Sequence, residues 1–489
     1  MSIVERLRKH KRFCASVGSV NLGALCVGLA MAWPKPSLAY AHEAAHPQLP
    51  FVDEAWVESI INAGASLGSL ASIFISGFYG RRTSFCLSGA ILAAFWLFLG
   101  FSGGDKVVSR ARSRDSSPTS HQSKVAPYQL IISAAAVAGL GVGTFSATAV
   151  LYVAEISTLK SRGVVGTSVM LSGCLGIFAI NLLGRFFDTG IAIGLMAAPP
   201  LCFLASVRLL VIESPFYLFQ KGAVLQAKTS LTHLRARHSL LEVDEEFRSM
   251  EAMFNRSFSK GTGRRRLLES LCPGSTRPLG LAAVPVLCVS QMLGLVALTD
   301  YAEQLVESIC PYSRGLLTSF VDVASSVLCV FAIERFGRRA LLFFTVVGCG
   351  LCCLALALYH LTRGEQCYAQ ELLAADHRTL PTVVLCVYYG IYALGLTPVL
   401  PIVTAEIFPC RAKAAAVGIC TSLLYFVAFC TRRSYEALNQ YTSSCFAFAC
   451  FAMLGSIALP FVVAALPETA PTSLLQMQTE LDNGVVINY

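Results

Sequence analysis

The chain has 489 residues, of which 55% are hydrophobic and 14% charged, with a formal net charge of +9. Soluble domains average roughly 25% charged residues, and apolar runs long enough to cross a bilayer as helices recur along this chain. That excludes an ordinary soluble enzyme, and the positive charge reads as membrane topology rather than nucleic-acid binding.

The start, "MSIVERLRKHKRF", reads as a cytoplasmic tail over 1–13 rather than the front of a signal peptide, since no small-residue cleavage site follows it. Six spans are expected at about 14–34, 56–79, 83–103, 127–153, 164–184 and 188–210. A polar linker over 211–277 follows, then six more spans at about 278–300, 314–333, 340–361, 381–404, 413–431 and 442–465, and a tail over 466–489. The expected fold class is all-α and integral to the membrane, with twelve helices in two six-helix bundles, 14–210 and 278–465. Lysine and arginine concentrate in the loops on the N-terminal side, about 25 against about 12, so both termini are expected in the cytoplasm. The stretch 103–124, "GGDKVVSRARSRDSSPTSHQSK", runs against that bias and reads as an insertion rich in Ser and Arg. Most of the nineteen cysteines fall inside spans as small apolar residues. Cys310 and Cys367 share a predicted outside loop face, compatible with one bridge, and no cysteine spacing fits a metal site.

Two signatures recur. "GRR" occurs at Gly80–Arg82 and Gly337–Arg339, 257 residues apart, and "AEI" followed by a basic residue at "YVAEISTLKSRG" and "VTAEIFPCRAKA", 251 apart. The same order at similar offsets indicates a duplicated membrane fold. Each "GRR" separates the second and third spans of its half, and each "AEI" ends the fourth. A carboxylate at that depth needs a partner, and an arginine from a neighbouring loop offers one. Arg81, Arg82, Glu155 and Arg162 in one half, and Glu334, Arg335, Arg338, Arg339, Glu406 and Arg411 in the other, are therefore expected to form a cytoplasmic salt-bridge latch that holds one state of a two-state machine.

These motifs, with "ESPFYLFQKG" at 213–222 and "LPET" at 466–469, resemble the sugar porters of the major facilitator superfamily over nearly the whole chain. The resemblance implies a central solute cavity lined by spans 1, 4, 7 and 10, and short cytoplasmic helices in the linker. All four lining spans carry glycine or proline: Pro34 and Pro36, "GLGVG" at 139–143, Gly294, and "GLTPVLP" at 395–401 with Thr397. Bent helices at a moving gate are expected there. The family's polar sugar site is largely replaced. Gln291 is kept, Ser290 and Val296 stand for an amide pair, and Met170, Pro401, Ala393, Leu424 and Ala135 stand where the family has Gln, Trp, Glu, Asn and Arg. Gly77 and Phe78 depart from the first loop motif, and Pro34 occupies the position of the carboxylate that proton-coupled porters use.

The candidate solute-binding residues are accordingly Gln291, Ser290, Asp322, Tyr301, Asn181 and Thr397. Asp322 holds a family substrate position, and a carboxylate in hydrocarbon costs on the order of 3 kcal/mol unless it faces water or a partner. Glu58 and Asp300 lie nearer span ends. The expected function is transport of a small polar solute, a sugar or polyol first, by alternating access and facilitated diffusion, in the plasma membrane or an internal one. The expected partners are that solute and the bilayer, with no nucleic acid, no metal and no cofactor, and with the oligomeric state open. Two alternatives stand beside this: a non-sugar organic solute, and a non-transporting nutrient sensor on a transporter scaffold. An enzyme is not expected, because the eight histidines lie in loops or at span ends.

Overall fold

The computed structural model describes residues 11–34, 54–101, 121–158, 161–187, 189–235, 240–258, 315–363, 379–408, 412–441 and 444–464, with Leu295, Leu298, Thr299, Tyr301, Ala302 and Leu305 between them. The N-terminal half is built from α1 (Lys11–Ala32), α2 (Glu54–Tyr79), α3 (Arg81–Phe101), α4 (His121–Ile156), α5 (Arg162–Phe186), α6 (Thr189–Met196) and α7 (Ala198–Leu210). Three shorter helices follow: α8 (Pro215–Gln220), α9 (Val224–Leu234) and α10 (Leu240–Phe258). The C-terminal half contains α11 (Leu316–Phe336), α12 (Arg338–Arg363), α13 (Thr379–Leu394), α14 (Leu396–Ile407), α15 (Lys413–Tyr441) and α16 (Ser444–Ala464). Among the described residues, ten helical segments are long and apolar enough to cross a membrane. Each is apolar around much of its circumference, with large side chains such as Leu67, Phe74, Phe331 and Phe344 on the outside, as a helix facing lipid requires. Most of the seventh expected span lies outside the described residues.

Each half has its own apolar core. In the first, Phe85, Phe145, Tyr152 and Phe203 cluster with ring centroids 5.4 to 6.3 Å apart, Phe85 and Phe145 tilted and the other pairs edge to face. In the second, Tyr388, Tyr392, Phe448 and the α12 cysteines Cys349 and Cys353 are buried together. The "CGLCC" run is thus packing. Tyr301 joins this core, its hydroxyl 3.0 Å from His360 Nε2 and its ring 5.1 Å from Phe448.

One expected break is found, one is not, and one is found in a span where none was expected; Gly294 lies outside the described residues. The tenth span divides at Gly395 into α13 and α14, and the sixth divides at Ala197 into α6 and α7. The "GLGVG" stretch, expected to bend, is continuous helix within α4. Its glycines serve packing: a Cβ on Gly143 would sit 1.8 Å from the Ala65 carbonyl oxygen of α2. Small residues let two helix backbones approach where no larger side chain fits.

The halves meet along two seams, α2 against α15 and α5 against α11. On the first, Ser66 and Ser422 share a hydroxyl bond of 2.9 Å. On the second, Asn181 donates to the Gly315 carbonyl (3.2 Å) and Ser319 Oγ (3.4 Å), and Cys174 Sγ lies 3.5 Å from Ser326 Oγ.

Candidate functional site

The two "GRR" turns are single-residue hinges. Gly80 and Gly337 have φ of 98° and 77°, the left-handed region that favours glycine. Each drops the chain from one span directly into the next, placing the first arginine at the new helix's start. Arg81 then points inward, 2% exposed, and grips Glu155 with two bonds, Nε to Oε2 at 3.0 Å and Nη2 to Oε1 at 2.7 Å. Arg82, one residue on, points outward and donates to the Arg208 carbonyl. The N-terminus of α3 is closed by Glu213, whose carboxylate accepts from the backbone N–H groups of Arg81 (2.9 Å) and Arg82 (3.2 Å), as helix N-termini favour. Burial, outweighing those donors and the Arg81 charge, pushes the Glu213 carboxyl above its usual range. Tyr217 completes the cluster with its ring 5.1 Å from the Arg81 guanidinium carbon.

The second half repeats the pairing and adds a link across the molecule. Arg338 lies 3.2 Å from Glu406, and Arg162, from the other half, lies 3.5 Å from the same Oε1. Glu406 is 3% exposed, so one buried carboxylate holds two arginines from two halves. Leu151, Ala154, Ala405 and Val417 pack beside it as an apolar seal. Arg235 ties the linker helices to this face: it donates to the Ile156 carbonyl at 2.8 Å, at the end of α4, and pairs with Glu246 of α10. Glu334 and Arg335 are exposed and make no ion pair among the described residues. Arg339 is half-buried, and Arg411 lies outside the described residues.

At the opposite face the halves are joined again, between α2 and α15. Glu58 pairs with Arg432. Arg433 stacks on Trp56, 4.1 Å from the ring centroid, and its Nε donates to Ser59 at 3.2 Å. The sequence flagged Glu58 as unusual but gave no partner, because Arg432 is 374 residues away.

Between these two closures lies a cavity of about 220 Å³. Its first wall is made by α1, α4 and α5, its second by α13, α14 and α15, with Leu295 also lining it. Met170, Pro401 and Leu424, three positions where the family's polar groups are replaced, all face it. Of the six candidate binding residues, the structure places Thr397 in the lining. Asn181 sits on the α5–α11 seam, Tyr301 in the second core, and Asp322 half-buried on α11, near enough to Cys174 of α5 to act on it electrostatically. Ser290 and Gln291 lie outside the described residues. Sequence reasoning missed Ser146 and Tyr425, whose hydroxyls meet at 2.9 Å across the two halves in the cavity wall. A lone serine or tyrosine in an apolar span carries no motif that would have singled it out.

Residues 11–481 match the model of the sugar (and other) transporter family. The chain belongs to that family. It is 24% identical over 470 residues to the Arabidopsis thaliana sugar transporter ERD6-like 2, covering 95% of this chain and 93% of that protein. It is 22% identical over 469 residues to the facilitated trehalose transporter Tret1 of Drosophila virilis, covering 95% of this chain and 48% of the longer relative. Its fold matches the major facilitator superfamily proton:xylose symporter XylE bound to 6-bromo-6-deoxy-D-glucose, with a TM-score of 0.79 at 16% identity, over 96% of this chain and 99% of that one. This member of the sugar transporter family is therefore a multi-pass integral membrane protein with the major facilitator fold, two six-helix bundles around a central space.

Proposed function

We propose that this chain carries a sugar or polyol across a membrane by alternating access, as a facilitator rather than a proton symporter. The observation that carries the reading is the cavity between the two bundles, with an inter-half ion pair toward each face. Arg162–Glu406 closes the face with the "GRR" turns, and Glu58–Arg432 closes the other. Breaking one set while keeping the other opens the cavity to one side at a time, which is what transport requires. The relatives named above are described as sugar and trehalose transporters, which supports a sugar as cargo. The bias of lysine and arginine supports the "GRR" face, both termini and the linker on the cytoplasmic side. Facilitation is supported by Pro34 in place of a coupling carboxylate, and by a lining in which no carboxylate occurs among the described residues.

The test is uptake into proteoliposomes of labelled glucose, fructose, a polyol and a cationic metabolite, with and without a pH gradient, for the wild type and Asp322→Asn. Sugar or polyol uptake that ignores both the gradient and the substitution is the expected result. Uptake driven by the gradient would make the chain a symporter, and uptake abolished by Asp322→Asn would make that carboxylate the centre of a changed chemistry. Folded protein that moves none of these solutes would favour the sensor.

A further inference from the structure

We propose that one chloride-sized anion is held beside Arg162 at the "GRR" face, in a seat that exists only while the two halves meet there. The charges that act on Arg162 are those of Glu406, Arg338 and Arg235, one carboxylate against two further cations. Arg235 has a partner of its own in Glu246, at 2.9 Å. Arg162 and Arg338 share Glu406, and Arg162 holds the longer bond, 3.5 Å against 3.2 Å. Lys413, 2% exposed at the start of α15, puts another buried cation at this end of the second half. Arg162 itself is 6% exposed, and a buried charge without full compensation is strongly disfavoured.

The geometry leaves a donor for the missing charge. Arg162 Nε makes no hydrogen bond among the described residues. The same side chain lines a small cavity of about 20 Å³, whose other lining residues are apolar, among them Val153 and Ala154 of α4, Gly166 of α5, and Ile402 and Ala405 of α14. Helix α5 begins at Arg162, its preceding residue Ser161 makes no side-chain capping bond, and its first turn holds no acid. The positive end of that helix therefore adds to the arginine's charge with no acidic side chain of its own turn to offset it.

Size and polarity together choose the occupant. The cavity has room for about one water-sized particle, which excludes phosphate and sugar acids. A water there needs two to four polar partners, and the lining side chains supply one. Glu406 Oε2 also makes no bond among the described residues, but Glu406 does not line the cavity. A monatomic anion takes the N–H and the charge, and accepts apolar contact on its other sides. Its route in is the solute cavity, with which the seat shares Ala149, Val169, Met170 and Pro401. Because the lining comes from both halves, parting them at this face dissolves the seat. An anion that binds only the joined arrangement favours it, and this last step alone rests on the transport reading.

The experiment follows the unfolding temperature of the purified full chain while sodium gluconate is replaced by sodium chloride at constant ionic strength, which holds general screening fixed. A saturable rise is expected with chloride and with bromide, and none with sulfate. Arg248→Ala, at an exposed arginine of α10, is expected to keep the rise. Arg162→Gln is expected to lose it. Ala154→Val keeps the arginine, fills the seat, and is also expected to lose it, which decides the matter if Arg162→Gln does not fold. Crystals of the wild type grown in bromide are expected to show an anomalous peak beside Arg162. A water there instead, or peaks at exposed arginines only, overturns the proposal. So does a response equal in chloride and gluconate, or one that survives in Ala154→Val. Spin labels near residues 162 and 406 are expected to report a shorter, narrower distance in chloride than in gluconate, and equal distributions overturn the claim that the seat needs the joined halves. None of these readouts uses transport, so a chain that moves no sugar would sink the transport reading and leave the anion site standing.

Discussion

At the scale of single residues, position on the helix decides which of two adjacent arginines matters. Arg81 and Arg82 are indistinguishable in the sequence, yet a helix turns about 100° per residue, so one faces Glu155 and the other the surface. Removing one partner of a buried pair leaves an uncompensated charge and costs about 3–5 kcal/mol. Arg81→Ala is expected to lower the unfolding temperature of the detergent-solubilised protein sharply, whereas Arg82→Ala, at an exposed site, is expected to change stability by no more than about 1 kcal/mol. Replacing Arg81 and Glu155 together with apolar residues of similar volume should recover most of the loss. Glu213 gives a pH signature. Its carboxyl is held above the ordinary range by burial, so its contribution to stability is full below the unfolded carboxylate pKa. That contribution is lost as pH rises through the raised value. Relative to Glu213→Gln, the wild type is expected to lose unfolding temperature as pH is raised above the usual carboxylate range. The pairing of "GRR" with "AEI" was legible because both motifs recur in the same order at similar offsets. The role of Glu213 was not, because the bond it makes is to backbone N–H groups 131 and 132 residues earlier in the chain.

At the scale of elements, the same residue type does different work in neighbouring helices. Gly77 sits in α2 with open space where a Cβ would go, while Gly143 in α4 lies against the α2 backbone. Glycine inside a helix is less favourable than alanine by roughly 0.5–1 kcal/mol. Gly77→Ala is therefore expected to be neutral or slightly stabilising. Gly143→Ala must push two helices apart and is expected to destabilise by about 1–3 kcal/mol, as overpacking does. Thermal unfolding of the two variants side by side checks both. The glycines of "GLGVG" looked like a bend because glycine in a span permits either a bend or a close approach. Only the neighbour, α2, distinguishes the two. At Gly395 the break is found, and prolines at 398 and 401 follow it, each lacking the N–H that would continue the ladder.

At the scale of the whole molecule, the proposed transport cycle sets the two inter-half links against one another. Glu406→Gln weakens the link at the "GRR" face, and Glu58→Gln the link at the other. Spin labels placed on α2 and α15 near residues 58 and 432 are expected to report a longer and broader distance in Glu58→Gln. In Glu406→Gln the same pair should stay short, while labels on α5 and α14 near residues 162 and 406 separate. Two variants that loosen both faces equally would show that the links are mere packing rather than alternating gates. An exchange of this kind needs only a few kcal/mol of bias between states, within reach of one buried ion pair.

The sequence alone determined the broad architecture. Apolar run length, the recurrence of two motifs and the resemblance they carry gave a helical membrane protein with duplicated halves. These are local or periodic signals, set by the thickness of a bilayer and by charges that avoid its interior. The sequence also marked Met170, Pro401 and Leu424 as departures from a polar site, and all three face the cavity. Tertiary structure alone decided which other polar groups meet in the cavity wall. It brought Ser146 and Tyr425 together over 279 residues, gave Glu58 its arginine, and drew Asn181 and Tyr301 away into packing contacts. Such pairings depend on which faces of separate helices meet. A hydroxyl or a carboxylate in an apolar run says that it needs a partner, and the packing of the two bundles says which.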